Sequence, residues 1–133
     1  MWKIQKHLFS VVFMILCGCV STATDAPGEM TQQQAMEKAI EITSMSIPEI
    51  SGSQVPPSNI HAEKMTLEEA VKRLNSNLEN VSEKSAESPV WLVSMDGLWL
   101  PVSAPGLTQK PYRHASIVLD AKTGVEVFRN MQP

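Results

Sequence analysis

Hydrophobic and polar positions divide the 133-residue chain into three zones. In the first, Lys3 and Lys6 precede a short apolar run from Leu8 to Leu16, and small and polar residues follow. That order is the pattern of an export signal. The run is too short for a spanning helix, which needs about 20 apolar residues. The second zone is helical. Thr31 and Gln34 form a capping box, Met36, Ala39, Ile40 and Ile47 recur near helical spacing, and Met30 can staple onto Ala35. This helix should end before Pro48, whose ring cannot continue it. Residues 48–60 carry Pro48, Gly52, Pro56 and Pro57 and read as a loop. Thr66 and Glu69 then repeat the capping box, with Met65 placed to staple onto Ala70. Leu67, Ala70, Val71, Leu74, Leu78 and Val81 form the apolar stripe of a second helix. Two copies of one cap, with a Pro-rich loop between them, favour two independent helices over a solenoid.

The third zone has β character, after a polar linker over residues 82–89. Asp96-Gly97 between Val90–Met95 and Leu98–Val102 predicts a two-residue hairpin, because a type I′ turn needs positive φ at both central residues. That register pairs Met95 with Leu98, Val93 with Leu100 and Trp91 with Val102, placing Trp91 in the core. The opposite face, with Val90, Leu92, Ser94, Trp99 and Pro101, is more apolar than a solvent face usually is. The protein itself should cover it, or a partner docks there. A second hairpin follows: Tyr112–Leu119, a turn over Asp120-Ala121-Lys122-Thr123-Gly124, and Val125–Phe128. Between the two hairpins, residues 103–111 form a flexible crossing loop. The expected class is α+β, with one or two helices packed on a small antiparallel sheet of two β-hairpins.

The ending Leu16-Cys17-Gly18-Cys19 resembles the lipobox of bacterial lipoproteins. That resemblance implies removal of residues 1–18 and acylation of the new N-terminal Cys19, followed by a flexible tether over residues 19–29 and a domain over residues 30–130. Several buried acyl chains would hold the protein to a bilayer, each methylene contributing about 0.8 kcal/mol. The expected location is the bacterial cell envelope, outside the cytoplasm. Ordinary secretion with cleavage after Ala23, or an uncleaved anchor, is the alternative. Loss of residues 1–18 leaves 115 residues, enough for one core and not for two. It also moves the net charge from −3 to −5, because Lys3 and Lys6 leave with the signal. An acidic domain without a basic patch argues against nucleic acid. Of the two cysteines, one is discarded and the other acylated, which excludes a disulfide, a cysteine nucleophile and a zinc-cysteine cluster.

Little in the mature sequence suggests catalysis. His61 and His114 belong to no ligand-spaced or triad-like set and read as structural histidines. Asp96 and Asp120 read as turn residues, and Glu63, Glu68, Glu69 and Glu79 as helix-surface charges. No cofactor-binding or metal-binding motif is present, and the Asn80-Val81-Ser82 sequon would go unused in a bacterial lipoprotein.

The helix openings at Thr31 and Thr66, then Pro89-Val90-Trp91-Leu92-Val93 with Gly97-x-Trp99, then Ser116-Ile117-Val118-Leu119-Asp120-Ala121-Lys122-Thr123-Gly124-Val125, resemble the PepSY domain over residues 31–128. This chain places a Pro-rich loop and a second helix before the strands. The resemblance implies a non-enzymatic, surface-anchored binding module that modulates or inhibits a peptidase. No H-E-x-x-H helix is present, so the partner would be a separate peptidase or another envelope protein. Leu92, Trp99 and Tyr112 are the expected binding anchors, as aromatic and apolar residues dominate interface energetics. The alternative is an envelope carrier of small molecules with an apolar cavity between helices and sheet.

Overall fold

The computed structural model describes residues 28–81, 84–103 and 105–133. The expected signal segment, Cys19 and the tether up to residue 27 lie outside the described residues. Helix α1 (Gln32–Ser44) leads into strand β1 (Ser58–Thr66), helix α2 (Leu67–Arg73), a 3₁₀ turn at Leu78–Asn80, and strands β2 (Pro89–Trp99), β3 (Tyr112–Asp120) and β4 (Glu126–Gln132). The strands form one antiparallel sheet in the order β1-β2-β3-β4. The class is α+β.

Both helices start where their capping boxes place them. At α1, Thr31 accepts from the Gln34 N–H and the Gln34 side chain accepts from the Thr31 N–H; Thr66 and Glu69 do the same at α2. The hydrogen bonds from Thr66 hold the Glu69 carboxyl below its ordinary range and outweigh the opposing effect of desolvation. Helix α2 is only seven residues long, and its expected stripe continues through a turn at Leu74 and the 3₁₀ turn rather than as helix.

Strand period decides which helix covers which face. Trp91, Val93, Met95 and Trp99 of β2 join Ala115, Ile117 and Leu119 of β3 and Ala62 of β1 in a core closed by Ala35 and Ala39 of α1. The alternate positions Val90, Leu92 and Val118 face the other way and pack against Leu67, Ala70 and Val71 of α2. The sheet is therefore sandwiched between the two helices. This accounts for the excess of apolar residues on both faces of β2.

The hairpin expected at Asp96-Gly97 is absent, because β2 runs straight through both residues and pairs with β1 on one side and β3 on the other. Gly97 serves packing instead. A methyl group there would lie 2.6 Å from Cη2 and 2.9 Å from Cζ2 of Trp99, so the missing side chain is the space the indole occupies. The ladder shifts between Asp96 and Trp99 at this point. Beyond it, residues 98–102 pair with the Pro-rich segment rather than with Val90–Met95. Gln54 N–H donates to Leu98 O at 2.7 Å, Ser51 N–H to Leu100 O at 2.9 Å, and Val102 N–H to Glu49 O at 2.8 Å.

Strand β1 is the element the sequence pattern conceals. It occupies residues read as loop and cap, and its mostly exposed burial pattern suits an edge strand with one buried side chain, Ala62.

The second hairpin forms as expected. Gly124 adopts φ +70°, its N–H donates to Asp120 O at 2.8 Å, and β3 returns as β4. Inside the turn the Asp120 carboxylate accepts from the N–H groups of Lys122 and Thr123 at 2.9 and 2.8 Å and pairs with Lys84 Nζ at 2.6 Å. Burial alone would raise this carboxyl, but the Lys84 ammonium and the backbone donors of Thr123 and Lys122 outweigh it and hold the pKa at about 2. The stabilisation is present above the ordinary value of 3.8 and disappears as pH falls through about 2. Unfolding free energy should drop by about 2 kcal/mol between pH 4 and 2 on this account. Chemical denaturation across that range checks it, with Asp120→Asn expected to flatten the fall.

Candidate functional site: the polar half of the α2 face

On the two central strands the α1 face of the sheet is apolar, but the α2 face changes character halfway. Past Val90 and Leu92, β2 carries Ser94 and Asp96 on either side of the core residue Met95, and β3 carries His114 and the buried Ser116 on either side of Ala115. Register aligns these residues into two rows. One row is His61, Ser94, Ser116 and Asn130 across all four strands; the next is Asp96, His114 and Gln132. Helix α2 contacts β1 and β2 over the apolar half of this face. At the border, Arg73 of α2 is paired with Glu63 of β1, and the guanidinium holds the Glu63 carboxyl low and is itself raised by it.

Asp96 is the centre of the polar half of this face. Its Oδ2 accepts from Asn59 Nδ2 at 2.7 Å, and its Oδ1 lies 2.9 Å from His114 Nδ1. The Asn59 hydrogen bond first, and the His114 contact second, hold the Asp96 carboxyl below its ordinary range despite some desolvation. An ionised carboxylate only accepts, so Nδ1 of His114 carries the proton of this contact. The local backbone is shaped to this end. Asn59 has φ +51° at the irregularity of β1 between Ser58 and His61, a conformation Asn tolerates better than most residues, and it aims its amide at Asp96.

The expected anchors lie elsewhere. Trp99 is 1% exposed, in the α1 core, with its indole N–H donating to Thr43 O at 3.1 Å. Leu92 is 4% exposed, in the α2 core. Tyr112 is half-buried and packs against the α1 core opposite Trp99. The structure therefore does not bring the three together as a surface, and the correction has one cause: α1 covers β2 at Trp99 and α2 covers it at Leu92. The aliphatic residues left exposed are smaller. Val55, Leu100 and Val102 lie on the ribbon formed by residues 49–55 and 98–102.

In the sequence these residues read separately, as structural histidines, a turn aspartate and serines of two strand segments. Their signal is the alternation Val93-Ser94-Met95-Asp96 against His114-Ala115-Ser116-Ile117, legible only once the two segments are known to be neighbouring strands.

An open cleft of about 510 Å³ lies beside the first turns of α1, lined by Glu29, Gln34, Glu37, Lys38, Lys122 and Thr123 among others. It is polar and open, unlike the closed apolar cavity a carrier needs. Among the described residues, no group of three His, Cys, Asp or Glu side chains could hold a metal ion, and no helix is long and apolar enough to cross a membrane. Comparison with family models, characterised proteins and solved structures finds no match to this chain.

Proposed function

We propose that this chain is a non-enzymatic, lipid-anchored lipoprotein of the bacterial envelope whose PepSY-like domain binds a separate protein outside the cytoplasm, an extracytoplasmic peptidase being the partner class that the resemblance indicates. The observation that carries this reading is the Leu16-Cys17-Gly18-Cys19 ending of an apolar run, upstream of a domain that closes on a strand, Asp-x-x-Thr-Gly and a second strand. The geometry of Asp120 to Gly124 supports it, since Asp120 caps Lys122 and Thr123 and Gly124 supplies the positive φ.

The point of attachment supports it too. Met30 N–H donates to Ala121 O at 2.7 Å, Trp91 Nε1 donates to Met30 O at 2.9 Å, and Glu29 pairs with Lys64. The chain thus joins the domain at the end of the sheet that holds the β3–β4 turn. Strand β2 runs from that end for 11 residues, about 36 Å at the usual rise, so the aliphatic ribbon lies at the other end of the sheet from Met30.

Crosslinked capture from native membranes tests the partner. Recovery of an extracytoplasmic peptidase with the wild-type protein, reduced with Cys19→Ala, is the expected result. Recovery of no envelope protein at all contradicts the reading.

A further inference from the structure

We propose that the outer edge of β4 pairs with the same edge of a second copy of this chain, joining two sheets into one continuous antiparallel sheet. This self-association stands beside the separate partner proposed above and does not depend on it.

The register shows which backbone groups the sheet leaves over. At the β3–β4 turn Asp120 N–H donates to Val125 O at 2.9 Å and Asp120 O accepts from Gly124 N–H at 2.8 Å, so Asp120 turns both groups toward β4. Alternate residues of an antiparallel strand point the same way, so Val118, Ser116 and His114 bond to Phe128, Asn130 and Gln132. Arg129 and Met131, opposite Ile117 and Ala115, therefore turn their N–H and C=O groups outward. Among the described residues β4 pairs with β3 alone, and no loop or side chain hydrogen-bonds to those outward groups.

The other edge of the sheet is guarded. Leu67 N–H donates to Ser88 O at 2.9 Å, so by the same alternation the outward groups of β1 are those of Ala62, Lys64 and Thr66. Gln32 Nε2 donates to Ala62 O at 2.8 Å, and the Glu69 carboxylate accepts from Thr66 N–H at 2.9 Å. The β1 ladder also breaks between Ser58 and His61, at the positive φ of Asn59. From Phe128 to Gln132, β4 has no proline, no lysine and no register shift. Such an edge is a template for another strand. One open edge and one guarded edge also decide the kind of assembly. Pairing of like edges about a two-fold axis uses up both open edges and closes at two copies, whereas head-to-tail growth would need β1.

The occupant follows from the fit of β4 to itself. The register that satisfies both outward residues puts Asn130 on the two-fold axis, so Arg129 exchanges two hydrogen bonds with Met131 of the partner subunit. Arg129 then lies opposite a thioether chain instead of a second guanidinium, and its charge is already matched by Glu126 at 2.6 and 2.7 Å. Phe128 lies opposite Gln132, and Asn130 opposite itself. No like charges are opposed anywhere along the pair.

Sedimentation equilibrium of the full-length protein in density-matched detergent tests the proposal. Two chains per particle are expected at tens of micromolar, falling to one with Met131→Pro, which removes an outward N–H and leaves the inward donors of Asn130 and Gln132 to β3. Oxidation of Asn130→Cys in membranes is a second readout that does not need the proline variant to fold. It should give a disulfide-linked dimer well above the background of the wild type, which carries the same Cys17 and Cys19, because residues facing each other at that position lie about 4.5 Å apart between Cα atoms. Ser58→Cys, exposed on the guarded edge, should stay at background. The proposal is overturned if the wild type stays single at every concentration, or if Asn130→Cys links no more than wild type. It is equally overturned if a folded Met131→Pro keeps two chains, if Ser58→Cys links as well as Asn130→Cys, or if Asn130→Cys links to a different protein instead. Cys19 acylation and partner capture do not enter the mass, so this readout fails or succeeds separately from the anchored-module reading.

Discussion

Replacing Trp99 by alanine is expected to lower the unfolding free energy by about 3–5 kcal/mol, the usual cost of deleting a large aromatic from a packed core. The indole is 1% exposed and sits over Gly97, and its N–H is the partner of Thr43 O. Truncation opens a cavity between α1 and the sheet and removes that hydrogen bond, two losses the surrounding strand cannot repair by collapsing. The same carbonyl also accepts from Ser53 N–H at 3.2 Å, so the Pro-rich segment should loosen together with the C-terminal end of α1. Urea titration measures the loss. A change under 1 kcal/mol would mean that Trp99 is a surface contact after all.

Leu92→Ala is expected to cost about 2–5 kcal/mol by the same mechanism on the opposite face. Leu92 is 4% exposed and packs in the cluster that holds Leu67, Ala70 and Val71, and α2 has only seven residues with which to stay folded. Short helices are marginal in water, so α2 depends on this contact more than α1 depends on any one of its own. Trp99 and Leu92 lie seven residues apart on β2 and share no cluster. Their costs should therefore add to within about 0.5 kcal/mol in the double variant. Together they approach the whole stability of a small domain, and the double variant should be largely unfolded at 37 °C.

These two residues show how far the sequence could be read. The caps at Thr31 and Thr66 were legible because a capping box is a local contract among four consecutive residues. The β3–β4 turn was legible for the same reason, with Asp120 and Gly124 supplying the turn chemistry within five residues. Asp96-Gly97 carried the same local signal and meant something else. Glycine there makes room for the Trp99 indole, and Asp96 bonds across strands to Asn59 and His114, neither of which is near it in sequence. Strand β1 escaped because an edge strand with one buried residue has no apolar alternation to betray it. Missing β1 and the sandwich then had a direct consequence for function. With a hairpin expected at Asp96-Gly97, the face that carries Leu92 and Trp99 is left either to cover by the protein itself or to a docked partner, and on the second alternative Trp99 and Leu92 look like anchors. With Leu92 and Trp99 both covered, the polar residues left part-exposed on the central strands are Ser94, Asp96 and His114, which only the register brings together.

The claim on which the functional account rests is that Cys19 carries the membrane anchor, and metabolic labelling with radioactive palmitate tests it most directly. The account predicts label in the wild-type protein, recovered in the membrane fraction, and neither label nor membrane retention for Cys19→Ala. An unlabelled wild-type protein, or one found in the cytosol, would contradict it.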